Sequence, residues 1–258
     1  MPTPDITTQH PTTRHLTDSV ALVTGANRGI GREIAAQLAA LGCTVLAGSR
    51  KPPGEPAGDA RIQHVRLDVT DPADIAAAAE WIEASYGRLD VLVNNAGVSG
   101  PLVEQNPSTI DTAVLREVFE TNVFAVLSVT NALLPLLRRS PAGRIVNVTS
   151  GVASLGRHTE LLGTGPRWPL FGAYAPSKSA LNALTVQYAK ELRPHGILVN
   201  AVAPGACATD FVQGLSFADD ITRTAAEGAA VAVKFATLPP GAEGPSGGFF
   251  DEDGPVPW

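Results

Sequence analysis

A doubly wound α/β domain is the fold class that this sequence predicts, on three observations. Short apolar runs without charge recur along the chain, stretches of helical periodicity separate them, and the segment between the first run and the first helix is rich in glycine. Strands bare of charge are buried on both faces, as in a parallel sheet, and parallel neighbours need helical crossovers, which are right-handed. A chain of 258 residues can bury one large core. No repeat or Gly/Ser linker divides it, so a single domain is expected over 18–258. Residues 1–17, "MPTPDITTQHPTTRHLT", lack the apolar run of a signal peptide and read as a flexible tail.

The elements follow in order. "VALVTG" from Val20 is a strand closing on glycine; behind it Ile30, Ile34, Leu38 and Leu41 line one helical face, and Gly42 ends that helix. "TVLAGSR" and "IQHVRLDV" read as two further strands. "DPADIAAAAEWIEASYG" is a helix with Asp71 as N-cap, Pro72 at its first position and Gly87 beyond its end. The alternation repeats with a strand in "LDVLVNNAG", one or two helices in 110–139, the strand "GRIVNVTS", a long helix over 173–192 and a strand in "GILVNAVAPG". "TAAE" from Thr224 has capping-box spacing and opens another helix, and "GGFFDED" supplies a final edge strand. The expectation is a mostly parallel seven-stranded sheet with helices on both faces.

Bulk composition narrows the partners. Hydrophobic residues are 44% of the chain, charged residues 17% and the net charge −6, so neither nucleic acid nor an anionic membrane is attracted. Cys43 and Cys207 are too few for a disulfide framework and fit a reducing cytoplasm. The 5 histidines are scattered, without metal-ligand spacing, and no metal is expected. No charge-free apolar run reaches transmembrane length.

Chemistry enters at "TGANRGIG", residues 24–31, between the first strand and first helix. Gly25, Gly29 and Gly31 leave room for a tight turn and for a diphosphate against backbone N–H groups at a helix N-terminus, where the dipole favours negative charge. Such a turn after strand one marks a Rossmann-type domain whose site lies at the carboxyl ends of the strands.

Five motifs then stand in order: Thr24-Gly25-x-x-x-Gly29-x-Gly31, Asn94-Asn95-Ala96-Gly97, Ser150, Tyr174-x-x-x-Lys178 and Pro204-Gly205. Together they resemble the short-chain dehydrogenase/reductase superfamily, in its ordinary-length branch and carbonyl-reductase-like, from about residue 20 to 210. The resemblance implies a nicotinamide dinucleotide held by Gly25, Asn27, Arg28, Gly29, Ile30 and Gly31, with Asn95, Ala96 and Gly97 along its adenosine side and Asp68 and Val69 at the adenine. It also implies contacts from Tyr174, Lys178, Pro204, Gly205 and Thr209, the last to the carboxamide. Between cofactors, the decisive stretch is "AGSRK": no acid stands at 47–51 to repel a 2′-phosphate, Arg50 can pair with it, and Arg28 can approach from the other side. NADP(H) is the expected cofactor.

On one helix, Tyr174 and Lys178 lie one above the other, and Pro176 falls in the first turn, where it removes little. An ammonium about 5 Å from the phenol, at an effective dielectric near 20, favours phenolate by roughly 3 kcal/mol, or about two pK units below the usual value. By the resemblance, Tyr174 gives a proton to a carbonyl oxygen as hydride arrives, Lys178 also holds the nicotinamide ribose, and Asn122 supports the lysine. Ser150 can hydrogen-bond the same oxygen; Thr149 beside it is the rival.

One departure from the family is the long span 151–173. It either lines the substrate mouth, with Leu161, Leu162, Trp168 and Phe171, or covers a surface used elsewhere for pairing subunits. Residues 210–220 read as a lid, with Phe211 and Phe217 facing an apolar substrate. Cys207 has no histidine partner at a telling distance and reads as a small pocket residue. The function expected is NADPH-dependent reduction of an apolar or aromatic ketone or aldehyde; the alternatives are alcohol oxidation at the same site and a silent dinucleotide sensor. Apolar surface on "NVFAVLSVTNALLPLL" and the helix after Tyr174 suggests a dimer or tetramer, with a monomer open if the insertion covers it.

Overall fold

The computed structural model describes residues 16–51, 59–101, 105–161, 170–213, 218–240 and 244–258. Eight strands form its sheet: β1 (Val20–Thr24), β2 (Thr44–Ser49), β3 (Ile62–Arg66), β4 (Val91–Asn94), β5 (Arg144–Val148), β6 (Leu198–Val202), β7 (Phe249–Asp251) and β8 (Gly254–Pro255). Their order is β3-β2-β1-β4-β5-β6-β7-β8. Every pair is parallel except β7 with β8, a short antiparallel hairpin. That hairpin makes eight strands rather than the expected seven and moves the edge from β7 to β8.

Helices α1 (Gly29–Ala40), α2 (Pro72–Tyr86), α3 (Thr112–Phe119), α4 (Ala125–Leu137), α5 (Leu155–Leu161), α6 (Tyr174–Leu192) and α7 (Ala225–Ala236) complete the frame. Side chains of α1 and α7 share one core with β1, β2 and β4, including Ile34, Leu38, Val231 and Phe235. On the opposite face α2, α4 and α6 share a second, through Ile82, Leu133, Leu137, Tyr188 and Leu192. Both faces of the central strands are therefore covered, which is why these strands carry so little charge.

The end signals read from sequence are present. Asp71 accepts from the Ala73 N–H, Gly87 closes α2 with φ 69, and Thr224 and Glu227 form a complete capping box on α7. Leu16 corrects the tail boundary: it is buried, and its N–H donates to the Leu41 carbonyl. A π-helical turn, Glu120–Phe124, joins α3 to α4 in one rod over Thr112–Leu137, long and apolar enough to span a membrane. Here that length serves the core, because Val129, Leu133 and Leu137 are buried against the sheet.

The strand order reverses between β1 and β4, so the connections leaving these two strands diverge and open a crevice at their carboxyl ends. Around this crevice the site is built.

Candidate active site

Thr24, last residue of β1, ties the two sides of the crevice together. Its Oγ accepts from the N–H of Asn95 and of Ala96, both at 3.0 Å, while Asn95 Nδ2 donates to the Thr24 carbonyl at 2.9 Å. The turn after β4 is thereby stitched to the glycine turn. Gly31 makes this approach possible: a Cβ there would collide with Asn95 Nδ2 and the Gly25 carbonyl. The first helical N–H groups of α1 have no side-chain cap and no acid in the first turn, which leaves them free for an anion. Beside them Thr24, Val69, Asn94, Ala96, Thr121, Ala125, Val126 and Val129 line a narrow seam with no room for a water molecule. The glycine turn and the uncapped helix N-terminus fit the diphosphate of a dinucleotide.

Deeper in, the turn after β4 meets α6. Asn122, in the π-helical turn, accepts from the Val98 N–H at 2.9 Å and donates to the Val98 carbonyl at 2.8 Å and to Ser177 Oγ at 3.0 Å. Gly97 runs so close that a Cβ would lie 3.1 Å from Asn122 Oδ1 and 3.2 Å from Lys178 Nζ. Lys178, buried on α6, donates from Nζ to the Val148 carbonyl at 2.9 Å. The extra residue of the π-turn brings Asn122 to this junction.

Tyr174 opens α6, and Ser150, just past the end of β5, stands close enough to its phenol to favour the ionised form. Thr149, the rival for that role, is buried and turned away, its hydroxyl donating to the Lys178 carbonyl at 3.3 Å. Ser150, Tyr174, Lys178 and Asn122 thus converge, as the motif spacing predicts.

The electrostatics of this group differ from the expectation. Burial pushes the Tyr174 phenol up to about 12, opposed by the nearby Ser150 hydroxyl, and pushes the Lys178 ammonium down to about 8. The lysine nitrogen lies 5.8 Å from the tyrosine ring centroid and is engaged by Val148, so desolvation outweighs its attraction for a phenolate.

The family model for short chain dehydrogenase matches residues 19–219. The chain belongs to the short-chain dehydrogenase family. It is 34% identical to short-chain dehydrogenase/reductase 1 of Saponaria officinalis, across 92% of this chain and 95% of that one. It is 33% identical to carbonyl reductase [NADPH] 1 of Rattus norvegicus, across 93% and 98%. NADPH-bound carbonyl reductase from chicken fatty liver superposes with a TM-score of 0.77 at 29% identity, across 94% of this chain and 99% of that one. As a member of this family the protein is an oxidoreductase using a nicotinamide dinucleotide.

Other expected site residues of this short-chain dehydrogenase fall as follows. Asn27 and Ile30 flank Gly29 in the glycine turn, partly buried, and Arg50 is exposed at the end of β2. Asp68 accepts from the N–H and hydroxyl of Thr70, at 3.0 and 2.8 Å, which folds the turn before α2. Arg28 pairs with Asp210 at 2.7 Å, both side chains exposed, which joins the glycine turn to the lid segment. Thr209 sits over Gly29, and the Pro204 carbonyl accepts from Arg223 Nε at 2.9 Å. Gly205 follows with φ +77. Cys207 is buried and desolvation raises its thiol, in keeping with a packing role.

Around the phenol the lining is apolar. The Tyr174 ring has Phe211 at 5.5 Å and Phe171 at 6.2 Å between centroids. Leu155 and Leu170 expose 65% and 59% of their surface nearby in sequence to Ser150 and Tyr174. The insertion begins with α5, fastened to the chain's last residues: Gly156 N–H donates to the Trp258 carbonyl, Ser154 Oγ to the Pro257 carbonyl, and Arg157 pairs with Asp251. Leu162, Trp168, Phe217 and the Leu161 side chain lie outside the described residues. Sequence reasoning missed Ser177 and Gln105, both buried contacts of the α6 first turn; neither belongs to a motif, and only their long-range partners reveal them.

Proposed function

We propose that this short-chain dehydrogenase reduces an apolar or aromatic ketone or aldehyde with NADPH, Tyr174 giving the proton. The observation that carries the reading is a buried phenol raised to about 12, with Ser150 beside it and Phe171 and Phe211 flanking its ring. Such a phenol stays protonated through the neutral range and so carries the proton that reduction needs; the same site serves both directions, and cofactor preference sets which one runs.

NADPH, when bound, supplies the hydride. Arg50, with no acid at 47–51, would pair with its 2′-phosphate, and the uncapped α1 N-terminus would meet the diphosphate. Ser150 and Tyr174 hold the substrate oxygen, and Ser150 stabilises charge developing there. Lys178, kept cationic below about pH 8, favours the anion that Tyr174 leaves after proton transfer. Asn122 fixes the backbone of Val98 beside it. The likeness to NADPH-bound carbonyl reductase supports the cofactor assignment.

A panel of aliphatic ketones, aryl ketones and quinones, followed by NADPH and NADH oxidation, tests the reading. Tyr174→Phe is expected to lower kcat by about 100-fold or more while NADPH still binds; full activity in that variant overturns the proton donor. Arg50→Asp is expected to lower NADPH preference over NADH by about 10-fold to 100-fold, and an unchanged preference overturns the cofactor assignment. Exposed Phe124 and Leu127, on the apolar rod, further support a homo-oligomer. Light scattering of monomer alone would count against it.

A further inference from the structure

Gln105 lies buried between the turn after β4 and the start of α6, and its amide is fully used. Its Oε1 accepts from the N–H groups of Ala173 and Tyr174, each at 3.2 Å. Its Nε2 donates to the carbonyls of Ser99 and Pro101, at 2.6 and 2.9 Å. Its own carbonyl accepts from the Gly172 N–H at 2.8 Å. The opening N–H groups of a helix need partners from outside it, and Ala173, at the N-cap, makes no side-chain cap. Gln105 therefore caps α6 from a distant part of the chain.

The carbonyl of Tyr174 is held as well. It accepts from Ser177 Oγ at 2.7 Å, and Ser177 Oγ accepts from Asn122 Nδ2, whose amide also grips Val98. Both polar groups of the Tyr174 backbone are thus tied to the segment 98–101, which continues the turn stitched to the glycine loop. We infer that Gln105 is a positioning residue, holding the first turn of α6 in register with the turn after β4 so that the Tyr174 phenol meets the reacting oxygen. The inference rests on the reading of Tyr174 as proton donor. Displacing a reacting group by about 1 Å can cost about 100-fold in rate, and nothing else described links Tyr174 N–H to that segment.

Two variants test it in the full-length enzyme. Gln105→Leu keeps the bulk and loses the side-chain hydrogen bonds. Gln105→Glu keeps the acceptor but, when ionised, sets a carboxylate against the Ser99 and Pro101 carbonyls; protonation restores one donor. We expect kcat to fall about tenfold or more at pH 8 in both, with KM for the carbonyl substrate and Kd for NADPH within about twofold of wild type. For Gln105→Glu alone, the ratio to wild-type kcat, measured at each pH, should recover as pH falls. A kcat within about twofold of wild type throughout, or a loss confined to Tm and NADPH affinity, overturns the inference. Should Gln105→Leu not fold, Gln105→Glu decides by its pH profile. Tyr174→Phe in the same assay separates the two readings: if it stays active, the proton-donor assignment has failed independently of Gln105.

Discussion

The floor of the crevice and its rim are built by different means. Around the glycine turn, Thr24, Asn95 and Ala96 interlock through short hydrogen bonds, and the backbones approach so closely that Gly31 leaves no room for a methyl group. Around the phenol, Phe171 and Phe211 meet the Tyr174 ring through apolar contact, and Phe211 is 41% exposed. A floor of this kind suits one invariant ligand with a diphosphate; a rim of this kind can repack around substrates of different shape. Specificity for cofactor should therefore be brittle and specificity for substrate graded.

Gly31→Ala is the sharpest way to break that contrast. The added methyl group forces Asn95 and the glycine turn apart, so NADPH affinity should fall by about 100-fold and stability by about 1–3 kcal/mol, read by titration calorimetry and thermal unfolding. Retained affinity would mean that the floor yields as readily as the rim.

Lys178 offers the next largest effect. Its folded-state value of about 8 lies below the ordinary 10.5, so between those values the unfolded chain binds more protons and stability rises with pH, by at most about 3 kcal/mol. Tyr174 acts oppositely at higher pH: raised from 10.0 to about 12, it withdraws stability as pH climbs through that interval. Comparing thermal unfolding of wild type and Lys178→Met from pH 7 to 10 isolates the lysine, since the variant should lack the rise.

Phe211→Ala probes the rim. It removes one ring face from Tyr174 at a side chain 41% exposed, so KM for aryl ketones should rise about threefold to tenfold with NADPH affinity unchanged. Equal losses for small aliphatic ketones would show that the ring shapes the phenol rather than the substrate. Asp210→Ala should matter least: the Arg28–Asp210 pair is 72% and 57% exposed, and its loss should change stability by less than about 1 kcal/mol in denaturant titrations.

Much of the floor was legible because its constraints are local. A glycine-rich turn between a strand and a helix, and a tyrosine and lysine one helical turn apart, are spacings along the chain, and Ser150, Tyr174 and Lys178 meet where those spacings put them. The short β8 hairpin and the burial of Leu16 escaped notice because neither has a periodic signal. The pairing of Arg28 with Asp210 was not legible, because an exposed arginine can reach several partners and Asp210 lies far along the chain. The phenol moved opposite to expectation because a pairwise charge argument omits the burial of both groups.

By itself, the order of apolar runs, helices and glycines determined the doubly wound sheet, the crevice at its switch point and the residues gathered there, because each depends on patterns a few residues long. Only the tertiary structure decided how hard those residues are held and how they titrate. Gln105 reaching α6, Asn122 at the π-turn and the desolvation of Tyr174 and Lys178 all arise from contacts between distant segments, and no local spacing records which segments will bury one another.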